Sequence, residues 1–355
     1  MPTVSKRGEG VAAAVAQRGL TSAKALLAAL LAFGAITGPV AAVAADPPVV
    51  AAAAATTGGG GVKQLRRGTA HDALYDVAFD GQRGVAVGAL GAVLSTTDGG
   101  ATWESQPFPI HNLALLSVAI KGNKCIAVGQ TGIAYTADDC KTWKPSPSVT
   151  KSRLLAVDVN AQGLAYAVGG FGAILRSTDW GKTWTPQVVD WKGFTEGGAE
   201  PHLYDVHVAE DGTPTIVGEF ELILRATNGG SQWKALHKGE RSLFGLTMLG
   251  DGRAFAVGQS GGVLASSDGG ATWRSLSSGS GALLTGVHAT PPGQLLVSGS
   301  NTGLLSKDEG ASWTRVSSKF IANGWLQALA VSAGAEGKPR LLGVGSGGSI
   351  LEIDL

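Results

Sequence analysis

Six times the chain writes an eight-residue phrase of the form Ser/Thr-x-Asp-x-Gly-x-Thr-Trp. No other feature limits its possible folds as tightly. The copies are TTDGGATW from Thr96, TADDCKTW from Thr136, STDWGKTW from Ser177, ATNGGSQW from Ala226, SSDGGATW from Ser266 and SKDEGASW from Ser306. The closing tryptophans are Trp103, Trp143, Trp184, Trp233, Trp273 and Trp313, spaced 40, 41, 49, 40 and 40 residues apart. A second phrase, Val-Gly-x-x-Gly with apolar residues after it, precedes each copy, as in VGALGAVL from Val87 and VGGFGAIL from Val168. A weaker version, SGSNTGLL, starts at Ser298, and a seventh version, VGSGGSIL from Val344, has no Asp phrase after it. Each unit opens on a short apolar run such as LYDVAF at Leu74 or LYDVHV at Leu203. A period of this length marks a repeated supersecondary unit.

One unit reads as four short strands, and a four-stranded unit of about 40 residues is the signature of a β-propeller blade. The 54 glycines among 355 residues, without a collagen period, fit many tight turns. A blade has two apolar faces and cannot bury them alone, so the units must close into a ring. Seven Val-Gly phrases against six Asp phrases leave one outer strand missing. The segment VKQLRRGTAHDALYDV from Val62 aligns without a gap on WKALHKGERSLFGLTM from Trp233. Residues 62–67 are therefore expected as the outer strand of the last blade. The expectation is an all-β chain: one seven-bladed propeller of antiparallel blades over residues 62–355.

Residues 1–45 read as a secretory signal. Lys6, Arg7, Arg18 and Lys24 precede an apolar stretch from Ala25 to Ile36, and Val43-Ala44-Ala45 offers small residues for cleavage. An uncleaved anchor is the alternative. Residues 46–61, rich in Ala and Gly, read as a flexible spacer. Export implies a periplasmic or equivalent oxidising compartment. The alignment places Cys125 at the start of the second strand of blade 2 and Cys140 in the turn after the third. A disulfide between these neighbours is expected, two buried free thiols being the alternative. A net charge of +1 with no long basic run excludes a nucleic-acid binder that works by counterion release.

Each residue of the Asp phrase has a structural task. Asp98, Asp138, Asp179, Asn228, Asp268 and Asp308 can accept backbone N–H groups of a hairpin turn. Gly accepts the turn's positive φ, and Trp covers the turn from the next strand. Six copies around a ring cannot converge on one substrate. The phrase is the Asp-box, found in sialidases and many other propellers. Together with the Val-Gly-x-x-Gly phrases, stretches such as VGALGAVLSTTDGGATW and VGGFGAILRSTDWGKTW resemble the photosystem II stability and assembly factor family. That resemblance implies a propeller that binds partner proteins and assists a membrane-protein complex or envelope protein, and with the signal-like leader the expectation is an exported, non-enzymatic scaffold. A monomer at the membrane periphery, without cofactor, is expected.

The departures from regularity name the candidate partner site. The 49-residue unit holds its extra residues in VVDWKGFTEGGAEPH, before Leu203. This connection is expected on the face opposite the Asp-boxes, with Trp191 and Phe194 partly exposed as a contact hot spot. The neighbouring turn reads Glu219-Phe220-Glu221 where other blades mostly have Gly near the end. Arg176 and Arg225 hold equivalent third-strand positions and complete the set. The second reading is a carbohydrate-active or glycan-binding propeller, with Glu219 and Glu221 as the acidic pair. It lacks the Arg-Ile-Pro motif and clustered Arg of a sialidase. No metal is expected. Polar residues at one inner-strand column, Asp158, His207 and His288 among them, read either as a wet channel or as a small-molecule or ion site. Tyr75 and Tyr204, at equivalent first-strand positions, read as packing.

Overall fold

The computed structural model describes residues 61–290, 293–334 and 337–354. The leader and spacer expected over residues 1–61 lie almost wholly outside them. Among the described residues, no helix is long and apolar enough to cross a membrane.

Seven four-stranded antiparallel sheets follow one another along the chain. Blade 1 runs through Leu74–Asp80, Arg83–Gly88, Val93–Thr96 and Glu104–Ser105. Blade 4 runs through Leu203–Val208, Pro214–Gly218, Ile223–Thr227 and Gln232–His237. The last blade takes Leu326–Ala333, Pro339–Gly345 and Ile350–Ile353 from the end of the chain and Val62–Arg66 from its start. Val62 pairs with Ile353 and Gln64 with Leu351. This is the closure that the alignment of Val62 on Trp233 called for. First strands pack each against the next, and Leu326–Ala333 packs back on Leu74–Asp80, completing the ring.

The core is divided by interface. Each seam between blades holds its own apolar cluster, as in Val85, Leu115, Val118 and Trp143 between blades 1 and 2. Leu296, Ile321, Leu326 and Leu351 fill the seam between blades 6 and 7. The Val-Gly phrase brings the first two strands of one blade to close quarters. A Cβ on Gly88, Gly169, Gly258 or Gly345 would sit 2.0 Å or less from the carbonyl oxygen just before the first strand of the same blade. Only glycine lets the second strand end so near that backbone. Turns after this glycine place Leu90, Thr131, Phe171, Phe220, Ser260 and Asn301 at left-handed φ between 52° and 62°.

Every first strand also carries a β-bulge at its second residue, between Leu74 and Asp76 in blade 1 and between Leu203 and Asp205 in blade 4. The bulge adds a residue and re-aims the side chains around it. As a result Tyr75, Asp76, Ser117, Tyr204, Asp205 and Gln327 line a cavity of about 140 Å³ on the ring axis. Leu74 pairs with Gly88, so the first strands begin at the Val-Gly-x-x-Gly end of the ring. The cavity therefore opens among those turns.

Candidate functional site

The Asp-boxes are turn staples. Thr96 Oγ1 donates to Asp98 Oδ1 at 2.7 Å and accepts from Gly100 N at 3.0 Å. Asp98 in turn accepts from Thr102 N and Thr102 Oγ1. The same net recurs around Asp179, Asp268 and Asp308. Trp103 and Trp273 donate Nε1 to Gly100 O and Gly270 O, covering their own turns. Trp143 and Trp184 are buried in the seams, and Trp233 and Trp313 pack at theirs. Asn228 belongs to the corresponding turn of blade 4, Asn228–Gly230. Blade 2 departs from the alignment. Its turn acceptor is Asp139, which takes Lys141 N, Thr142 N and Thr142 Oγ1, and not the expected Asp138. The hydroxyl of Thr136 is drawn away to Trp180 O, and Cys140 alone supplies left-handed φ in that turn. Cys140 is disulfide-bonded to Cys125, with Cα atoms 5.0 Å apart.

The residues expected to form a partner site do not come together as one patch. Trp191 is buried, 7% exposed, in the seam between blades 3 and 4. A Cβ on Gly172 would lie 2.6 Å from the indole Nε1, so the Val-Gly-x-x-Gly turn of blade 3 makes room for the ring. Phe194 packs edge-on against Trp191 at 6.3 Å, half-buried beneath the Lys238 ammonium. Trp191 is thus a core residue and not an exposed hot spot. Gly172 N donates to Pro201 O, which seats the long connection on this turn. Arg176 pairs across its sheet with Tyr166 and sits against Gly230 of the next blade's Asp-box turn. Arg225 donates to Thr215 Oγ1 and Gly269 O, the latter in the Asp-box turn of blade 5. Both arginines therefore stand at the Asp-box end of their seams, away from Trp191 and Phe220.

The acidic pair is also engaged. Glu221 is buried at φ 45°, held by Arg241 Nε, with His237 Nε2 3.5 Å away. Gly239 leaves room for the carboxylate. Glu219 accepts from His202 N at 2.9 Å. Phe220, between them, stays 41% exposed.

What the sequence reading missed lies on the same face. Leu90 and Phe171 occupy the turn position of Phe220 and are 64% and 65% exposed. Thr131, Ser260 and Asn301 hold that position in other blades, so apolar tips are not required by the turn. From Phe171 a run of rings leads inward: His202 at 5.0 Å, then Tyr204 at 6.3 Å, then Phe244 at 4.6 Å. Across the mouth, Tyr75 stacks on Trp325 with ring centroids 6.0 Å apart.

Polar groups of the first strands join blade to blade. Asp76 Oδ2 accepts from Ser117 Oγ and Val118 N of blade 2, and Ser117 Oγ accepts from Val157 N of blade 3. Asp205 Oδ2 accepts from Leu246 N of blade 5, and Asp158 Oδ2 from Val208 N of blade 4. Enclosure outweighs these bonds. It pushes the Asp76 carboxyl up to about 6 and that of Asp205 up to about 8, the other axial carboxylates adding to both. Asp158 is pushed up by burial also, opposed by His207, whose Nδ1 stands 3.5 Å away. Burial holds the His288 imidazole down at about 4. Among the described residues, no three or more His, Cys, Asp or Glu side chains gather closely enough to hold a metal ion.

Residues 63–198, the closing strand through blade 3 and into the long connection, match the family of the photosynthesis system II assembly factor YCF48. No curated protein matches the sequence. A solved structure of YCF48 bound to D1 peptide is 20% identical, with a TM-score of 0.64 over 83% of this chain and 96% of that one. YCF48 from Cyanidioschyzon merolae is 19% identical, with a TM-score of 0.65 over 82% of this chain and 98% of that one. The GH74 xyloglucanase from Xanthomonas campestris is 15% identical, with a TM-score of 0.65 over 82% of this chain and 53% of that one. At these identities the three structures share the propeller fold with the chain. The chain is a seven-bladed propeller similar to the photosystem II assembly factors, the family match being carried by its closing strand and first three blades.

Proposed function

We propose that this chain is a non-enzymatic, extracytoplasmic scaffold that binds a membrane-protein partner and assists assembly or stability of its complex. The family match over residues 63–198 carries the reading. The structure of YCF48 bound to D1 peptide supports a peptide segment as the form in which such a partner is held. The Cys125–Cys140 disulfide supports an oxidising compartment, and the signal-like leader supports export. The protein acts as a monomer at the membrane periphery. Glu221, the best acid on this face, is committed to Arg241, which favours binding over glycosidic catalysis.

The test is genetic and biochemical together. Deleting the gene lowers the amount of one assembled membrane complex, the full chain restores it, and subunits of that complex co-purify with the tagged chain from solubilised membranes. Normal complex levels in the deletion strain, or hydrolysis of a glycan panel abolished by Glu221→Gln, would overturn the reading.

A further inference from the structure

The axial cavity combines three features that together specify a ligand. Its floor holds two carboxylates, Asp76 and Asp205. Their charged neighbours are other carboxylates, and among the described residues neither forms an ion pair. Asp158 has His207 beside it and Lys121 within electrostatic reach, but Asp76 and Asp205 have no such cation. The charged form of a buried carboxyl is normally paired, and here only hydroxyl and backbone N–H donors meet it, so enclosure favours the protonated form until a cation is supplied.

The rim is aromatic, with Tyr75 stacked on Trp325 and Tyr204 against Phe244. Aromatic faces attract cations, and more strongly once water is excluded. The cavity, at about 140 Å³, has room for the head of one long side chain and some water. On the same face, at the Val-Gly-x-x-Gly turns of blades 1, 3 and 4, stand the exposed apolar tips Leu90, Phe171 and Phe220.

We propose that the cavity accepts the ammonium or guanidinium head of a lysine or arginine from a partner polypeptide, with its flanking apolar residues seated on Leu90, Phe171 and Phe220. Charge complementarity carries the choice of occupant: a carboxyl-floored, aromatic-rimmed socket on a face with exposed apolar tips fits a basic side chain between apolar neighbours. An acidic or neutral segment would bring no charge to favour the ionised carboxylates, whereas a cation would draw off their protons and pair with them. The proposal rests on the partner-binding reading above and adds the chemistry of the bound segment.

The experiment uses the full chain and three capped heptapeptides, Gly-Leu-Phe-X-Leu-Phe-Gly with X as Arg, Gln or Glu, titrated by calorimetry at pH 7.5 and low salt. The Arg peptide is expected to bind at least tenfold more tightly than the Gln or Glu peptide. N-acetyl-arginine amide, which has the head but no flanks, should bind at least tenfold more weakly than the Arg peptide. Gln327→Lys places an ammonium on the cavity lining and keeps both carboxylates and their staples, so it should abolish Arg-peptide binding in a folded protein. Asp205→Asn and Phe220→Ser should each weaken it, with circular dichroism confirming the fold. Equal binding of the three peptides, no binding of the Arg peptide, or full binding by Gln327→Lys would overturn the proposal. Such a result alongside intact co-purification and complementation would leave the scaffold reading standing and remove only the socket.

Discussion

Trp191 shows how a residue's role turns on what faces it. An indole in a long connection invites a surface reading, yet here the missing side chain of Gly172 makes a socket and the ring fills the seam between blades 3 and 4. Truncating it should act as a core deletion. Trp191→Ala is expected to cost about 3–5 kcal/mol, while Phe194→Ala, half-buried, should cost about 1 kcal/mol. Chemical denaturation checks both, and equal small losses would return Trp191 to the surface. A second pair of substitutions tests the turn of blade 2. Asp139 carries the hydrogen bonds, whereas Asp138 stands exposed beside Lys124 and Lys182. Asp139→Ala should lower the melting temperature by about 2–4 °C, the equivalent of about 1 kcal/mol, and Asp138→Ala should leave it unchanged within about 1 °C.

At the scale of the element, the disulfide joins the second strand of blade 2 to the turn after its third, closing a separation of 15 residues. In the chain-entropy view a loop of that size is worth about 3 kcal/mol. Cys125→Ser with Cys140→Ser should therefore lower stability by about 2–4 kcal/mol, read from urea midpoints, and a reductant should do nothing further to that variant. These elements were legible because each leaves a periodic mark. The Trp spacing set the blades, the gapless match at Val62 found the closing strand, and the two cysteines fell on one strand of a unit and the turn after its neighbour. The axial site left only the LYDV shared by the runs from Leu74 and Leu203, where the tyrosines read as packing. Asp76 and Asp205 share a column with Ser117, Ala156, Gly245, Gly286 and Ala328. Only the bulge in each first strand turns that column toward the axis. Likewise the tips Leu90 and Phe171 hide at the free positions of a phrase whose glycines attract attention. The Asp138 alignment failed because identity at a column does not fix which of two adjacent aspartates the turn will use.

At the scale of the ring, closure and axial charge govern stability in different ways. Val62–Arg66 covers Ile350–Ile353, which would otherwise present a bare edge, and an open edge invites pairing with other chains. Replacing residues 62–66 with Gly and Ser should convert a monodisperse ring into a less cooperative, association-prone species on size exclusion. The axial carboxylates give the ring an unusual pH profile. Asp76 and Asp205 titrate in the fold near 6 and 8, above the 3.8 of a free Asp side chain. A carboxyl raised in this way stabilises the fold fully below about pH 4, and that contribution is lost as pH rises through the folded values. The Asp-box carboxylates run the other way. Partial burial opposes the shift at Asp98, but hydrogen bonds from Thr102 win and hold it at about 2. Ser312 does the same for Asp308, also at about 2. Their stabilisation is present above about pH 4 and is lost as pH falls through about 2. The melting temperature should therefore peak near pH 4–5, drop sharply toward pH 2, and decline gradually between pH 5 and 9. Asp205→Asn should flatten the decline above pH 5, whatever it does to the absolute value, and leave the acid limb intact. Gln327→Lys should flatten it too, because an ammonium on the cavity lining favours the ionised carboxylates. A wild-type profile that is level from pH 5 to 9 would mean that the axis is better solvated than its seven enclosing strands imply.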